Sequence, residues 1–118
     1  MNIYNSTKNN LIASNVKVAQ NFITRSIGLL SKKSISDDEG LIIKPCCSIH
    51  TYFMKFPIDV LFVNRKNMIV ALYENVDRTR ILPIHLSSSY VVELAAGLIS
   101  KKNIEKGDII QINEQDIK

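Results

Sequence analysis

With 118 residues, 46% of them hydrophobic and 22% charged, the chain is long enough to bury one real core without staples and too short for two. Fifteen basic against 11 acidic side chains leave a formal charge of +4. The basic residues are spread out, nowhere denser than the pairs Lys32-Lys33 and Lys101-Lys102; this permits attraction to nucleic acid or an anionic membrane but argues against a dedicated nucleic-acid surface.

The opening MNIYNSTKNNLIAS has no apolar run behind a basic end, so the expectation is a cytoplasmic protein with no signal peptide and no membrane partner. Cys46 and Cys47 are adjacent. Neighbouring Cα atoms lie about 3.8 Å apart, inside the roughly 4.4 Å lower limit for a disulfide, so a mutual bridge would be strained and a reducing compartment is expected.

Ile12, Ser14, Val16 and Val18 alternate with Ala13, Asn15 and Lys17, the period of an early strand. From Ala19 the period changes, and Ala19, Ile23, Ile27 and Leu30 form an apolar stripe that predicts one amphipathic helix over about 19–31. SKKSISDDEG is a polar loop in which Gly40 is expected to turn the chain into a strand over Leu41 to Ile43. Pro57 cannot donate to a ladder, so Met54 to Pro57 reads as a corner. Ile58 to Val63, broken only by Asp59, suits a strand apolar on both faces. The break at Asn64 to Asn67 makes it one arm of a hairpin with Met68 to Tyr73. Short apolar pieces follow around Ile81 to Leu86, then a strand over Tyr90 to Leu94. Ala95-Ala96-Gly97 permits close backbone approach, Leu98 to Ile104 allows a helical turn or two, and Lys106-Gly107-Asp108 turns into a last strand over Ile109 to Ile112. The sum is mainly β: a single antiparallel β-sandwich or barrel domain, 1–118 with its core over about 11–112, frayed ends, and the helix packed on the sheet.

Two carboxylates, Asp59 and Glu93, interrupt apolar strand patterns, where a buried charge needs a partner. Arg25, off the helix stripe, and His50 are the nearest candidates that chain order permits; one or both carboxylates read first as structural, tying helix to sheet or facing water, and the sharper alternative is that they line a cleft. His50 shares strand parity with Tyr52 and Met54. A soft-metal site from Cys46, His50 and Met54 is resisted by geometry, since a four-residue step along a strand spans about 13 Å. No phosphate loop, dinucleotide fingerprint or HExxH occurs, and no cofactor or metal is expected.

Several pieces together resemble domain of unknown function family 192 of bacteria and archaea. They are Arg25 with Gly28-Leu29-Leu30, His50-Thr51, Met54, Phe56-Pro57-Ile58-Asp59-Val60 with Phe62, Val92-Glu93-Leu94 with Ala96-Gly97, and Gly107-Asp108. The family usually has methionine where Leu30 stands and often glycine where Phe53 stands. The resemblance implies a compact β sandwich or barrel with an N-terminal helix and supplies no activity. The residues themselves assemble no complete catalytic set, which favours a binding module for a small molecule or partner protein. Its expected site is a cleft formed by Arg25, His50, Thr51, Met54, Asp59 and Glu93. The alternatives are an enzyme using Cys46 or Cys47 with His50 as base, and a weak nucleic-acid-binding protein.

Overall fold

A computed structural model describes residues 1–19, 34–46, 48–49, 54–77 and 80–114. The expected helix over 19–31, with Arg25, lies outside these residues apart from Ala19, as do Cys47, His50 and Thr51. Eight strands are described: β1 (Asn2–Asn5), β2 (Asn10–Ala13), β3 (Asn15–Ala19), β4 (Glu39–Ile43), β5 (Ile58–Val63), β6 (Ile69–Val76), β7 (Tyr90–Ala95) and β8 (Ile110–Asn113). The one helix among the described residues, α1, is a single turn, Leu98–Lys101.

The strands form two sheets and no closed barrel, so the mainly β architecture is sandwich-like. One sheet is antiparallel in the order β2-β1-β8, and the other runs β3-β4-β7-β5-β6. Every pairing in the larger sheet is antiparallel except β3 with β4, which is parallel. A parallel pair needs a long crossover, and the stretch between Ala19 and Glu39 is long enough to supply it.

The two central strands explain their own sequences. All six residues of IDVLFV in β5 and all six of YVVELA in β7 are buried, because both faces of the larger sheet are covered. One face meets the smaller sheet and α1 through Ile42, Leu61, Val63, Val92 and Leu94, packed with Ile3, Ile12, Ile110 and Leu98. The other face carries Leu41, Ile43, Ile58, Val60, Phe62 and Val91, under Ile49, Met54, Phe56 and Leu82 from the connections. The β5–β6 hairpin forms as expected. Its turn is fixed by Asn64 Oδ1, which accepts from the backbone N–H groups of Lys66 and Met68.

Three expectations change. The alternating stretch from Ile12 to Val18 is not one strand: the backbone N–H groups of Ser14 and Asn15 both donate to Asp38 O, and there the chain leaves one sheet for the other. The core does not begin near residue 11, because β1 is the middle strand of the smaller sheet and buries Ile3 and Asn5 completely. Gly40 is not a turn residue. It lies within β4, where a Cβ would sit 3.2 Å from Leu94 Cδ2 and 3.4 Å from Val16 Cγ2, so the residue here packs closely against both side chains.

Candidate functional site

Asp59 and Glu93 are both fully buried. Residues paired across an antiparallel ladder project to the same face. Asp59 is opposite Leu94 and therefore faces the smaller sheet, whereas Glu93 is opposite Val60 on β5 and Leu41 on β4 and therefore faces away from it. The two carboxylates lie on opposite sides of one sheet. The expected single cleft holding both is corrected by this register.

Asp59 has a structural assignment. Its Oδ2 accepts from Ile99 N–H at 2.8 Å, in the first turn of α1, and its Oδ1 accepts from Asn75 N–H at 2.7 Å. Gly97 caps α1 in a left-handed conformation (φ 94°) and offers no side-chain acceptor, so Asp59 reaches across from β5 to satisfy an N–H that a helix start leaves orphaned. The second donor is freed by a register shift, with Tyr73 opposite Val60 and Val76 opposite Ile58, so that Glu74 and Asn75 together face Asp59.

Met54 is buried and joins the cluster on the Glu93 side of the sheet, so these two members of the expected set share a face. Further along that face the structure assembles three groups that the sequence reading did not single out. The ring of Phe62 packs against His85 with centroids 4.6 Å apart and against Tyr73 edge-on at 5.8 Å. Tyr73 Oη and His85 Nε2 are 2.7 Å apart in hydrogen-bond contact. Phe62 is fully buried, while Tyr73 and His85 are half-buried, so the hydrogen-bonded pair is open to solvent above an enclosed aromatic ring. The residues come from β5, β6 and the 80–89 loop, and their contacts are non-local. The one available signal was a histidine set among aliphatics in ILPIHL.

The Cys46 thiol, half-buried, donates to Ser48 O at 2.9 Å. The neighbouring backbone is tied by Ser88 Oγ, which donates to Cys46 O. Burial pushes the Tyr90 phenol well above its ordinary range, and its hydroxyl donates to Asn67 Oδ1. Among the described residues no group of three His, Cys, Asp or Glu side chains is arranged to hold a metal ion.

The family model for DUF192, described as Uncharacterized ACR, matches residues 3–112. This chain belongs to that family. Archaeal relatives include a UPF0127 protein of Pyrococcus furiosus, 32% identical over an alignment of 117 positions that covers 92% of this chain and 96% of the relative. A UPF0127 protein of Thermococcus kodakarensis is 28% identical over 92% of this chain and 71% of its own length. A solved structure of a protein of unknown function from Novosphingobium aromaticivorans superposes with a TM-score of 0.79, covering 94% of this chain and 82% of its own at 19% identity. That likeness shows the fold alone. For this member of domain of unknown function family 192, any functional reading must therefore come from its own side chains.

Proposed function

We propose that this family 192 protein is a non-enzymatic binding module for a small molecule, which it meets at the Phe62–Tyr73–His85 cluster. The observation that carries the reading is the 2.7 Å contact between a half-buried hydroxyl and a half-buried imidazole, set on a buried aromatic ring. An apolar wall with a few convergent polar groups is how small-ligand sites are built, and this edge can both donate and accept hydrogen bonds. The ligand class it suits carries at least one hydrogen-bonding group that can meet the Tyr73 hydroxyl or the His85 ring.

A thermal-shift screen over nucleotides, sugars, short peptides and metal ions tests the proposal. A ligand at one hundred times its Kd stabilises by about 2.7 kcal/mol, an easily read upward shift in Tm. The expected result is at least one hit whose shift is lost in both Tyr73→Phe and His85→Ala. Hits that keep their full shift in both variants place the ligand elsewhere and defeat the assignment.

A further inference from the structure

The larger sheet has two unlike ends. Ile43 of β4 pairs with Val91, and Val63 of β5 pairs with Tyr90 and Ile69, so the chain leaving β4, the β5–β6 turn and the approach to β7 all gather at one end. Hydrogen bonds from Cys46 N–H to Ser89 O and from Ser89 N–H to Val63 O tie them together there. The sequences concerned, Lys44 to Ile49, Asn64 to Met68 and Arg80 to Ser89, contain no aspartate or glutamate. They expose Lys44, Arg65, Lys66 and Arg80, and the turn at 105–108, bonded to Ile69 beside them, adds the exposed Lys106 and a Glu105 paired with Lys8. At the other end of the sheet, beside the start of β4 and the end of β6, stand the exposed Asp37, Asp38 and Asp77.

The loop that arrives at the cationic end also carries the most exposed aliphatic side chains of the described residues: Leu86 at 87%, Ile81 at 67% and Ile84 at 65%. They are held at two points: Leu82 is buried, with its N–H donating to Ile49 O, and His85 packs on Phe62 and bonds Tyr73, so Leu82 and His85 anchor the loop while Ile81, Ile84 and Leu86 beside them are exposed.

We propose that this end of the molecule docks peripherally on an anionic lipid bilayer. Lys44, Arg65 and Lys66 meet headgroup phosphates, and Leu86 and Ile84 enter the interface beside them. Cations next to aliphatic side chains are the pattern of an interfacial contact, and the acid-free loops give the charge complementarity. A nucleic-acid strand would call for exposed aromatic rings to stack on bases, and the projecting residues here are aliphatic. No helix among the described residues is long and apolar enough to cross a membrane, so the contact described is one of surface residence. It is independent of any ligand at Tyr73 and His85.

The test is co-sedimentation of the full chain with vesicles of phosphatidylcholine alone and of an equimolar mixture with phosphatidylglycerol, at low and high salt. Binding is expected only to the mixed vesicles. It should fall by roughly fivefold per cation removed, hence about a hundredfold in Lys44→Gln/Arg65→Gln/Lys66→Gln. It should also fall at least tenfold in Ile84→Ser/Leu86→Ser, which leaves the charge unchanged; all five positions are exposed, and an unaltered Tm confirms that each variant is folded. Absence of binding to mixed vesicles overturns the proposal, as does equal binding to both vesicle types. So does binding that survives Ile84→Ser/Leu86→Ser in full, or that is abolished by competing inorganic phosphate at millimolar level. Tighter binding to single-stranded DNA than to vesicles, lost in the triple variant, would assign the surface to nucleic acid instead.

Discussion

Asp59→Ala is expected to destabilise the protein by about 2–4 kcal/mol, because it removes the acceptor of two backbone donors, Ile99 N–H and Asn75 N–H. An orphaned buried donor costs about 1–3 kcal/mol, and Ile99 N–H is buried in the first turn of α1, while the part-buried bond from Asn75, an exposed residue, adds less. Asp59→Asn is the sharper test. An amide offers one acceptor oxygen and places an NH2 group against the other donor, so one bond is replaced by a donor–donor contact and about 2–3 kcal/mol is lost. For a domain of this size each kcal/mol moves Tm by roughly 3–6 °C, so urea and thermal unfolding both resolve the two variants. Ligand response and vesicle binding should be retained wherever the variant is folded. A loss below about 0.5 kcal/mol for Asp59→Asn would mean that the carboxylate is not the tie between β5, β6 and α1.

That role was half legible in the sequence. PIDVLF announces a carboxylate inside an apolar strand, and the requirement for a partner follows from the cost of burying it. The identity of the partner did not follow, because the donors are backbone N–H groups, which no residue type encodes. Arg25 and His50 were therefore the natural candidates, being visible as side chains. The same limit explains the pairing of Asp59 with Glu93 in one expected cleft. Each strand shows which of its own residues alternate, but only the register between strands decides which set faces which side, and the pairing of Val60 with Glu93 puts the two carboxylates on opposite faces. The strands β5 and β7 were clear because all-apolar runs suit a sheet covered on both sides. β1 was not, because NIYN has one strongly apolar residue and sits beside a run of polar ones. The Tyr73–His85 contact joins a strand to a loop that carries no regular pattern.

The second large effect is expected at Asp108, in the turn before β8. Asp108 is buried, and its Oδ2 accepts from Asn5 Nδ2 at 2.9 Å, from the backbone N–H of Glu105 at 3.0 Å and from Lys8 Nζ at 3.1 Å. Asn5 in turn accepts from Lys8 N–H through Oδ1, so one carboxylate organises the turn after β1 and the turn before β8 together. Burial alone would raise the carboxyl pKa, but the hydrogen bonds from Asn5 and Glu105 and the ammonium of Lys8 outweigh it, and the pKa is held below its ordinary 3.8. A carboxylate depressed in the folded state stabilises fully above its unfolded value, and that contribution disappears as pH falls from about 3.8 through the lower folded pKa. Lys8 has the opposite sign: its hydrogen bond to Glu105 raises its pKa above 10.5 against the effect of burial, with Asp108 adding to the rise, so its contribution is present below that value and lost at higher pH. Asp108→Asn should cost about 1–2 kcal/mol at neutral pH: the amide oxygen can take the place of Oδ2, but as a neutral acceptor it gives up the charge assistance of its bonds from Asn5, Glu105 and the Lys8 ammonium. The distinguishing measurement is urea unfolding at a series of pH values from neutral down to about 2.5, below the ordinary carboxylate range. Wild type should lose stability more steeply than Asp108→Asn below about pH 4, so that the two curves converge in acid. Parallel curves over that range would show that Asp108 is not the carboxylate whose protonation loosens the smaller sheet.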